Sequence, residues 1–322
     1  MTKKQRIINK INSQICSCAD CESWIDGEPL WLWGDQSDVY DLLFDIGVDP
    51  DDFSEYEGEI FCSNCKNELE IASKVGIKTK YQRDLENYID KCTKKYNNKL
   101  KEFDIYIKEF PLLALNHPIG RKIYHEIQQM NLPKVELNVG DILFRSRLVN
   151  SKKILTSEEM KNAPLGKSSE GRFNHSGQSH LYLSNKREGA IAEVENNVLV
   201  WLQQFEIGNT VKNILDLKYS YDEISLSTNS LLVSIHLTDI LCQEGMNNDN
   251  WKPHYNITRF IMDCAKELGY AGIRYNSIKL SSSVNYVLFY PENVILLENE
   301  EPKVLSSKLS NKERLFDLLI DE

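Results

Sequence analysis

Residues 256–290 read NITRFIMDCAKELGYAGIRYNSIKLSSSVNYVLFY. Their hydrophobic pattern changes period partway along. Ile257, Phe260, Ile261, Cys264 and Leu268 recur at three- and four-residue steps, which predicts a helix over Asn256–Leu268 with one apolar side. Gly269 follows as a helix stop, because glycine takes the left-handed conformation at little steric cost. Beyond it, short runs rich in β-branched and aromatic residues predict strands at Gly272–Tyr275 and Asn285–Tyr290, with Val294–Leu297 after them. Working back toward the amino terminus, the same signals predict strands at Asp141–Leu148, His180–Ser184, Val198–Phe205 and Ile214–Tyr219, and a helix at Lys186–Asn196. Strands and helices alternate irregularly, so a compact α+β domain fits better than a doubly wound sheet. No internal repeat and no G-x-G-x-x-G is present. A dinucleotide, if bound, is therefore not held by a Rossmann turn. Asp222–Pro253 reads as an insertion.

The preceding residues, 78–132, read as helical. Tyr81, Leu85, Tyr88, Ile89, Cys92, Tyr96, Leu100, Phe103 and Ile107 form one stripe, and packing accounts for it better than a ligand site does. Pro111 and His117-Pro118 end that helix, and Ile119–Met130 makes a second. His117 and His125 lack metal-ligand spacing and read as structural. Asn131-Leu132-Pro133 is a natural boundary.

Residues 1–75 look like a separate module. Cys18-Ala-Asp-Cys21 and Cys62-Ser-Asn-Cys65 are two C-x-x-C pairs, each offering two thiolates on a tight turn, and brought together they can complete a tetrahedral zinc site; chance spacing in a cysteine-rich segment and a redox dithiol are the alternatives. The spacing between the pairs is longer than usual, and Cys16 is an alternative to Cys18. Cys242 and Cys264 read as buried small hydrophobes. From Glu22 to Glu59 there are thirteen Asp and Glu residues and no Lys or Arg, interleaved with Trp24, Trp31, Trp33, Tyr40, Phe44, Phe53 and Tyr56. The aromatics suffice for a small core. The acids read either as a solvated face or as a docking surface for a basic partner.

Composition bounds the function. The 322-residue chain is 41% hydrophobic and carries a formal charge of −10, which argues against broad nucleic-acid binding. No run of eighteen apolar residues and no secretory signal are present, so a cytoplasmic protein is expected. Residues 301–322 hold a candidate short helix at Lys312–Ile320. In an acidic protein, an inward-looking Arg is more informative than in a basic one.

Four blocks in the carboxy-terminal half carry chemistry. They are Leu143-Phe144-Arg145-Ser146-Arg147, Gly171-Arg172-Phe173-Asn174, Leu181-Tyr182-Leu183-Ser184 leading to Ala190-Ile191-Ala192-Glu193, and Gly269 to Ser277 leading to Asn285-Tyr286-Val287-Leu288-Phe289. In this order they resemble the RES family, named after its Arg, Glu and Ser residues, over residues 135–300. The resemblance implies an ADP-ribosyltransferase-like fold, preceded here by the zinc module and the helical segment 76–132. It implies consumption of NAD with phosphate as acceptor, often as the toxin half of a toxin–antitoxin pair. Carried over, Arg145, Arg172, Tyr182, Glu193 and Ser277 form the site. Glu170-Gly171-Arg172-Phe173 and Asn276-Ser277 depart from the commoner Gly-Gly-Arg-Trp and Pro-Ser, and Ser281, Ser282 and Ser283 compete for the late Ser.

Each residue type suits the task that the resemblance implies. Cleaving the nicotinamide–ribose bond builds positive charge on the ribose, which a carboxylate stabilises; Glu193 is the candidate, although a solvent-facing helix Glu such as Glu195 looks no different locally. Arg145 and Arg172 can hold pyrophosphate or incoming phosphate bidentately, with Arg147 as a further candidate. Tyr182 offers a ring face and a hydroxyl, Ser277 a hydroxyl donor, and Phe173 either a stacking surface or core filling. The expected small molecules are NAD and phosphate, and an antitoxin or regulatory protein is the expected partner. Hydrolysis to ADP-ribose, transfer to a macromolecule, and a non-catalytic binding module stand as alternatives.

Overall fold

The computed structural model describes residues 1–25, 28–31, 34–129, 132–149, 154–194, 199–218, 224–241, 252–298 and 300–306. The candidate helix at Lys312–Ile320 lies outside the described residues, as do Trp33 and Cys242. The chain divides into two compact units, Met1–Asp90 and Lys91–Glu322.

The first unit opens with helix α1 (Lys3–Asn12). Thr2 caps it by accepting from the Gln5 N–H, and Ile8 and Ile11 face inward. Strands β1 (Ile15–Cys18), β2 (Trp24–Ile25), β3 (Glu28–Pro29) and β4 (Asp35–Asp38) follow, then α2 (Val39–Asp45) and β5 (Lys74–Ile77). β5 is the middle strand of an antiparallel trio with β1 and β4, and β2 pairs β3. The core is mainly aliphatic: Ile8, Ile11, Ile15, Val39, Leu42, Leu43, Ile60, Leu69 and Val75 are buried together. Among the described residues the aromatics divide between core and surface. Tyr56 is buried, but Phe44 is 71% exposed and Tyr40 49%. Some acids have local work: the side chain of Asp38 accepts from the Asp41 N–H and that of Asp49 from the Asp51 N–H, each capping a helical turn.

Helix α3 (Lys80–Glu109) contains the division between the units. In the second unit, Tyr96, Leu100, Phe103 and Ile107 of α3 join α4 (Pro118–Gln128) in one core. His117 is structural, as expected: its Nδ1 accepts from the Ile119 N–H, and its ring stacks on Phe103 at 5.1 Å.

The chain then runs through β6 (Lys134–Leu137), β7 (Ile142–Leu148), α5 (Ser157–Met160), β8 (Leu181–Ser184), α6 (Arg187–Ala192), β9 (Leu199–Ile207) and β10 (Val211–Asp216). It continues with α7 (Ser230–Leu237), α8 (Asn256–Glu267), β11 (Gly272–Asn276), β12 (Val284–Leu288), β13 (Leu296–Leu297) and β14 (Lys303–Ser306). Among the described residues the strands make one mixed sheet of order β13-β9-β7-β8-β12-β11-β10-β6, with β14 also on β9. β10 and β11 run parallel, so the chain between them must cross over, and α7 and α8 do so. Part of that crossover, α7, lies within Asp222–Pro253. α7 buries Leu231, Leu232, Val233 and Ile235, and Ser234 Oγ donates to the Cys92 carbonyl at 3.0 Å.

The sheet has a core on each face. One gathers α3, α4, α7 and α8 over Leu215, Ile273, Tyr275 and Val287. The other packs Leu143, Leu181, Leu183, Phe205, Ile207, Ile214 and Leu288 with Met160 of α5. Side-chain alternation puts Phe144, Ser146, Tyr182, Ser184, Tyr275 and Asn285 on the face that carries α8.

Candidate active site

The sheet is zipped unevenly. β7 pairs β9 at seven positions, from Ile142↔Glu206 to Leu148↔Val200, and β12 pairs β8 at four. Between β7 and β8 the only pairing is Phe144↔Ser184. Beyond it the two central strands splay, and a cleft of about 210 Å³ opens there, lined by Phe144, Arg145, Ser146, Tyr182, Leu183, Ser184, Ala190, Glu193, Tyr275 and Asn285.

Arg145 spans the splay. Its Nη1 donates to the Tyr182 carbonyl at 3.0 Å, a backbone acceptor that a zipped ladder would have used. Burial, and then the neighbouring Arg147 guanidinium, lower Arg145 to about 9, so it stays charged at neutral pH. Arg147 is engaged elsewhere: Nη1 donates to the Glu159 carbonyl at 2.6 Å and Nη2 to the Lys161 carbonyl at 3.3 Å, tying the α5 turn to the strand.

Tyr182 is fixed by the glycine block. Its hydroxyl donates to Asn174 Oδ1 at 2.9 Å and accepts from the Phe173 N–H at 3.1 Å. Asn174 Nδ2 in turn donates to the Ser169 and His175 carbonyls, which closes the turn. Gly171 has to be glycine for this arrangement: a Cβ there would lie 2.2 Å from Asn174 Oδ1 and 3.0 Å from the Tyr182 hydroxyl. Burial pushes the Tyr182 hydroxyl far up, so it remains a donor. Phe173 is fully buried against Tyr275, ring centroids 4.8 Å apart, and fills the core. Arg172 is 9% exposed and not among the cleft-lining side chains. Its Nη1 donates to the Leu241 carbonyl, and its guanidinium carbon lies 5.5 Å from the Tyr255 ring and 5.9 Å from the Tyr275 ring.

Glu193 stands where α6 ends, as its carboxy-terminal cap. Ser277 Oγ and Asn285 Nδ2 both donate to one carboxylate oxygen, Oε1, at 2.7 Å each. Such charge-assisted bonds are about twice as strong as neutral ones, so they fix the rotamer of this cleft-lining residue through one oxygen. Ser277 is held in its turn by the N–H groups of Lys279 and Leu280, at 3.2 Å each. The structure therefore joins Ser277 to Glu193, and the hydroxyl of Ser283 does something different. It meets that of Ser184 at 2.8 Å beneath Gly189, where a Cβ would come within 1.9 Å of Ser283 Oγ. Gly189 thus lets α6 settle onto the sheet at the height that delivers Glu193.

Several residues here carry no local sequence signal of their role. Asn285 stood inside a quoted motif, and its place opposite Ser184 on the cleft face follows only from strand register. Tyr275 likewise shares a face with Asn285 through the β11–β12 ladder. Arg259 of α8 is 5% exposed; its Nε donates to the Gly171 carbonyl at 3.0 Å and its Nη2 to Glu170 Oε2 at 2.9 Å. That pair puts Glu170 to use at the point where the block departs from the commoner Gly-Gly.

In the first unit the four thiols converge. Cys18 and Cys65 sulfurs lie 3.6 Å apart, Cys21 and Cys62 3.6 Å, Cys18 and Cys21 3.8 Å, and all four lie within 4.8 Å of one another. A tetrahedron with Zn–S bonds of ~2.3 Å has edges of about 3.8 Å, so the cluster can hold zinc with little movement. The knuckles form as the spacing requires: the Cys21 N–H donates to the Cys18 carbonyl and the Lys66 N–H to the Cys62 carbonyl, with Lys66 at φ 64°. Burial, and then the Cys65 thiol, push Cys18 up to about 12. Cys21, against its own burial, is drawn down to about 7 by the Cys18 backbone N–H and its neighbours. Cys16 lies outside the cluster, its thiol directed to the Gln14 carbonyl at 4.0 Å.

Residues 145–305 match the model of the family described as the RES domain, an interval that starts at Arg145 and takes in every residue lining the cleft except Phe144. A solved structure, the M. tuberculosis MbcT–MbcA toxin–antitoxin complex, contains a chain similar to this one at 14% identity and a TM-score of 0.38, over 60% of this chain and 97% of that one. No curated protein matches in sequence.

Proposed function

The chain belongs to the RES domain family, and from that premise we propose that it degrades NAD by cleaving the nicotinamide–ribose bond, with phosphate as the acceptor. One observation carries the reading: a carboxylate held through a single oxygen by Ser277 and Asn285, in a cleft bordered by Arg145 and Tyr182. The C1″–N bond breaks with its electron pair passing to the pyridinium nitrogen, which releases neutral nicotinamide. An oxygen of hydrogen phosphate forms the new bond to C1″, giving ADP-ribose 1″-phosphate. The Glu193 carboxylate faces the positive charge that grows on the ribose, the task for which a fixed carboxylate is suited. Arg145 supplies positive charge for the pyrophosphate or the incoming phosphate, and Tyr182 a ring wall. We read the split mixed sheet as ADP-ribosyltransferase-like. A free enzyme of this kind drains the cell of NAD, so it acts as a toxin or defence effector in the cytoplasm, under an antitoxin or a regulator acting with the first unit. The four cysteines there hold zinc as a structural ion. No helix among the described residues is long and apolar enough to cross a membrane.

Incubating pure protein with NAD, with and without phosphate, and separating the products tests the reading. Phosphate-dependent release of nicotinamide and ADP-ribose 1″-phosphate is expected. Intact NAD in both reactions would refute it. The Glu193→Gln variant should lose at least about 100-fold in kcat/KM.

A further inference from the structure

The cleft has polar atoms that the protein itself does not satisfy. Among the described residues, three buried side-chain atoms of cleft-lining residues lack a hydrogen-bond partner: Arg145 Nε, Ser146 Oγ and Asn285 Oδ1. Buried polar groups are almost always paired, so three orphans around one small cleft require an explanation. Asn285 is the most telling, since the residue is 3% exposed and its amide nitrogen is already committed to Glu193 at 2.7 Å. Its oxygen is left as an acceptor and nothing else. Arg145 Nε can only donate, and the Ser146 hydroxyl donates readily.

Size and spacing limit what can satisfy them. At about 210 Å³ the cleft is smaller than the roughly 300–1,000 Å³ of sites that enclose whole drug-sized ligands, so it takes one end of a larger molecule. Ser146 and Asn285 share a sheet face on strands two steps apart, with the splayed gap between β7 and β8 lying between them. Two short side chains reaching inward leave a gap that a small planar group fills. That group must offer an N–H to Asn285 and a carbonyl to Ser146 or Arg145. A carboxylate offers no donor to Asn285 and brings a second negative charge beside Glu193. A methyl ketone satisfies the donors but leaves Asn285 unpaired.

We propose that the cleft floor is a carboxamide subsite, in which Asn285 Oδ1 accepts from the amide N–H and Ser146 and Arg145 donate to its carbonyl. The inference rests on the NAD reading above and deepens it, because it makes the protein specific for nicotinamide over nicotinic acid as the leaving group. Asn285 then has two tasks through its two amide atoms, orienting Glu193 and recognising the substrate.

Turnover of NAD, 3-acetylpyridine adenine dinucleotide and nicotinic acid adenine dinucleotide by the full chain tests this. NAD should exceed the acetyl analogue by about 10-fold in kcat/KM and the acid by about 100-fold or more, as expected when a buried acceptor goes unpaired or meets a like charge. In Asn285→Leu, all rates fall because Glu193 loses a donor, but the ratio of NAD to the acetyl analogue should collapse to within about twofold. A purely positioning role would leave that ratio unchanged and overturn the proposal, as would a wild-type protein indifferent to the three substrates. Ser146→Ala, which removes less from the wall, should weaken NAD and the acetyl analogue alike. If none of the three is cleaved, the NAD reading fails, and free nicotinamide against nicotinate, followed by NMR on the same protein, decides the subsite. Nicotinamide bound in preference upholds it; equal or absent binding refutes it.

Discussion

At the scale of single residues, the arrangement around Glu193 separates binding from positioning. Ser277 touches Glu193 rather than lining the cleft, so Ser277→Ala should lower kcat about 10–100-fold, the worth of one hydrogen bond to a charged group, with little change in KM. A rise in KM at constant kcat, measured by steady-state kinetics, would count against it. Glycines carry a comparable constraint without chemistry. In Gly189→Ala the new Cβ meets both Ser283 Oγ and Ser184 Oγ, so about 1–3 kcal/mol of stability should be lost in a urea titration, and part should return in the Gly189→Ala, Ser283→Gly double variant. The sequence brought Arg145, Tyr182, Glu193 and Ser277 into view through ordered motifs, and the fold puts all four at or against one cleft. Asn285 and Gly189 stayed hidden because their importance lies in cross-strand register and helix–sheet distance, which no local pattern encodes.

Among the elements, legibility followed periodicity. α8 stands within a residue of its expected span, since a single apolar face and a stop glycine leave little choice. α6 is shorter than expected, ending at Ala192, so that Glu193 caps it and turns toward β11 and β12. α7 is not legible in the sequence: Ser230–Leu237 is apolar nearly all round and presents no single helix face, because the element is buried on several sides. The β7–β8 split was equally invisible, because both strands look like ordinary paired strands in isolation. It makes a prediction at this scale. In Arg145→Leu the buried Tyr182 carbonyl loses its donor, so β8 amides should exchange with deuterium measurably faster while the β7–β9 ladder stays protected.

For the whole molecule, two properties can be tested by changing the solution. The first unit depends on its four thiols, so protein purified without chelator should carry zinc by elemental analysis, and chelation should make residues 1–75 sensitive to trypsin. Zinc-free protein with equal resistance would refute the assignment. The second unit should be acid-labile. His180 donates through Nδ1 to the Phe173 carbonyl and accepts at Nε2 from Lys266, and burial holds it at about 4, below the free value of 6.5. The unfolded chain therefore binds the proton first, so the stabilisation is complete above about pH 6.5 and is lost as pH falls toward 4. It amounts to about 2–3 kcal/mol from a side chain that is 5% exposed. His236, lowered by burial in the same way, adds to the trend, which urea midpoints between about pH 7 and pH 4.5 would reveal. The last described strand also bears on where the chain tolerates trimming. β14 and β13 together cover the outer edge of β9, with Lys303–Ser306 lying on Leu199–Leu202. A protein shortened to end at Glu301 would present that row of backbone N–H and C=O groups to solvent as an open template for another strand. Precipitation or filament growth in such a truncation would report an uncovered sheet margin, and would say nothing about the chemistry of the cleft.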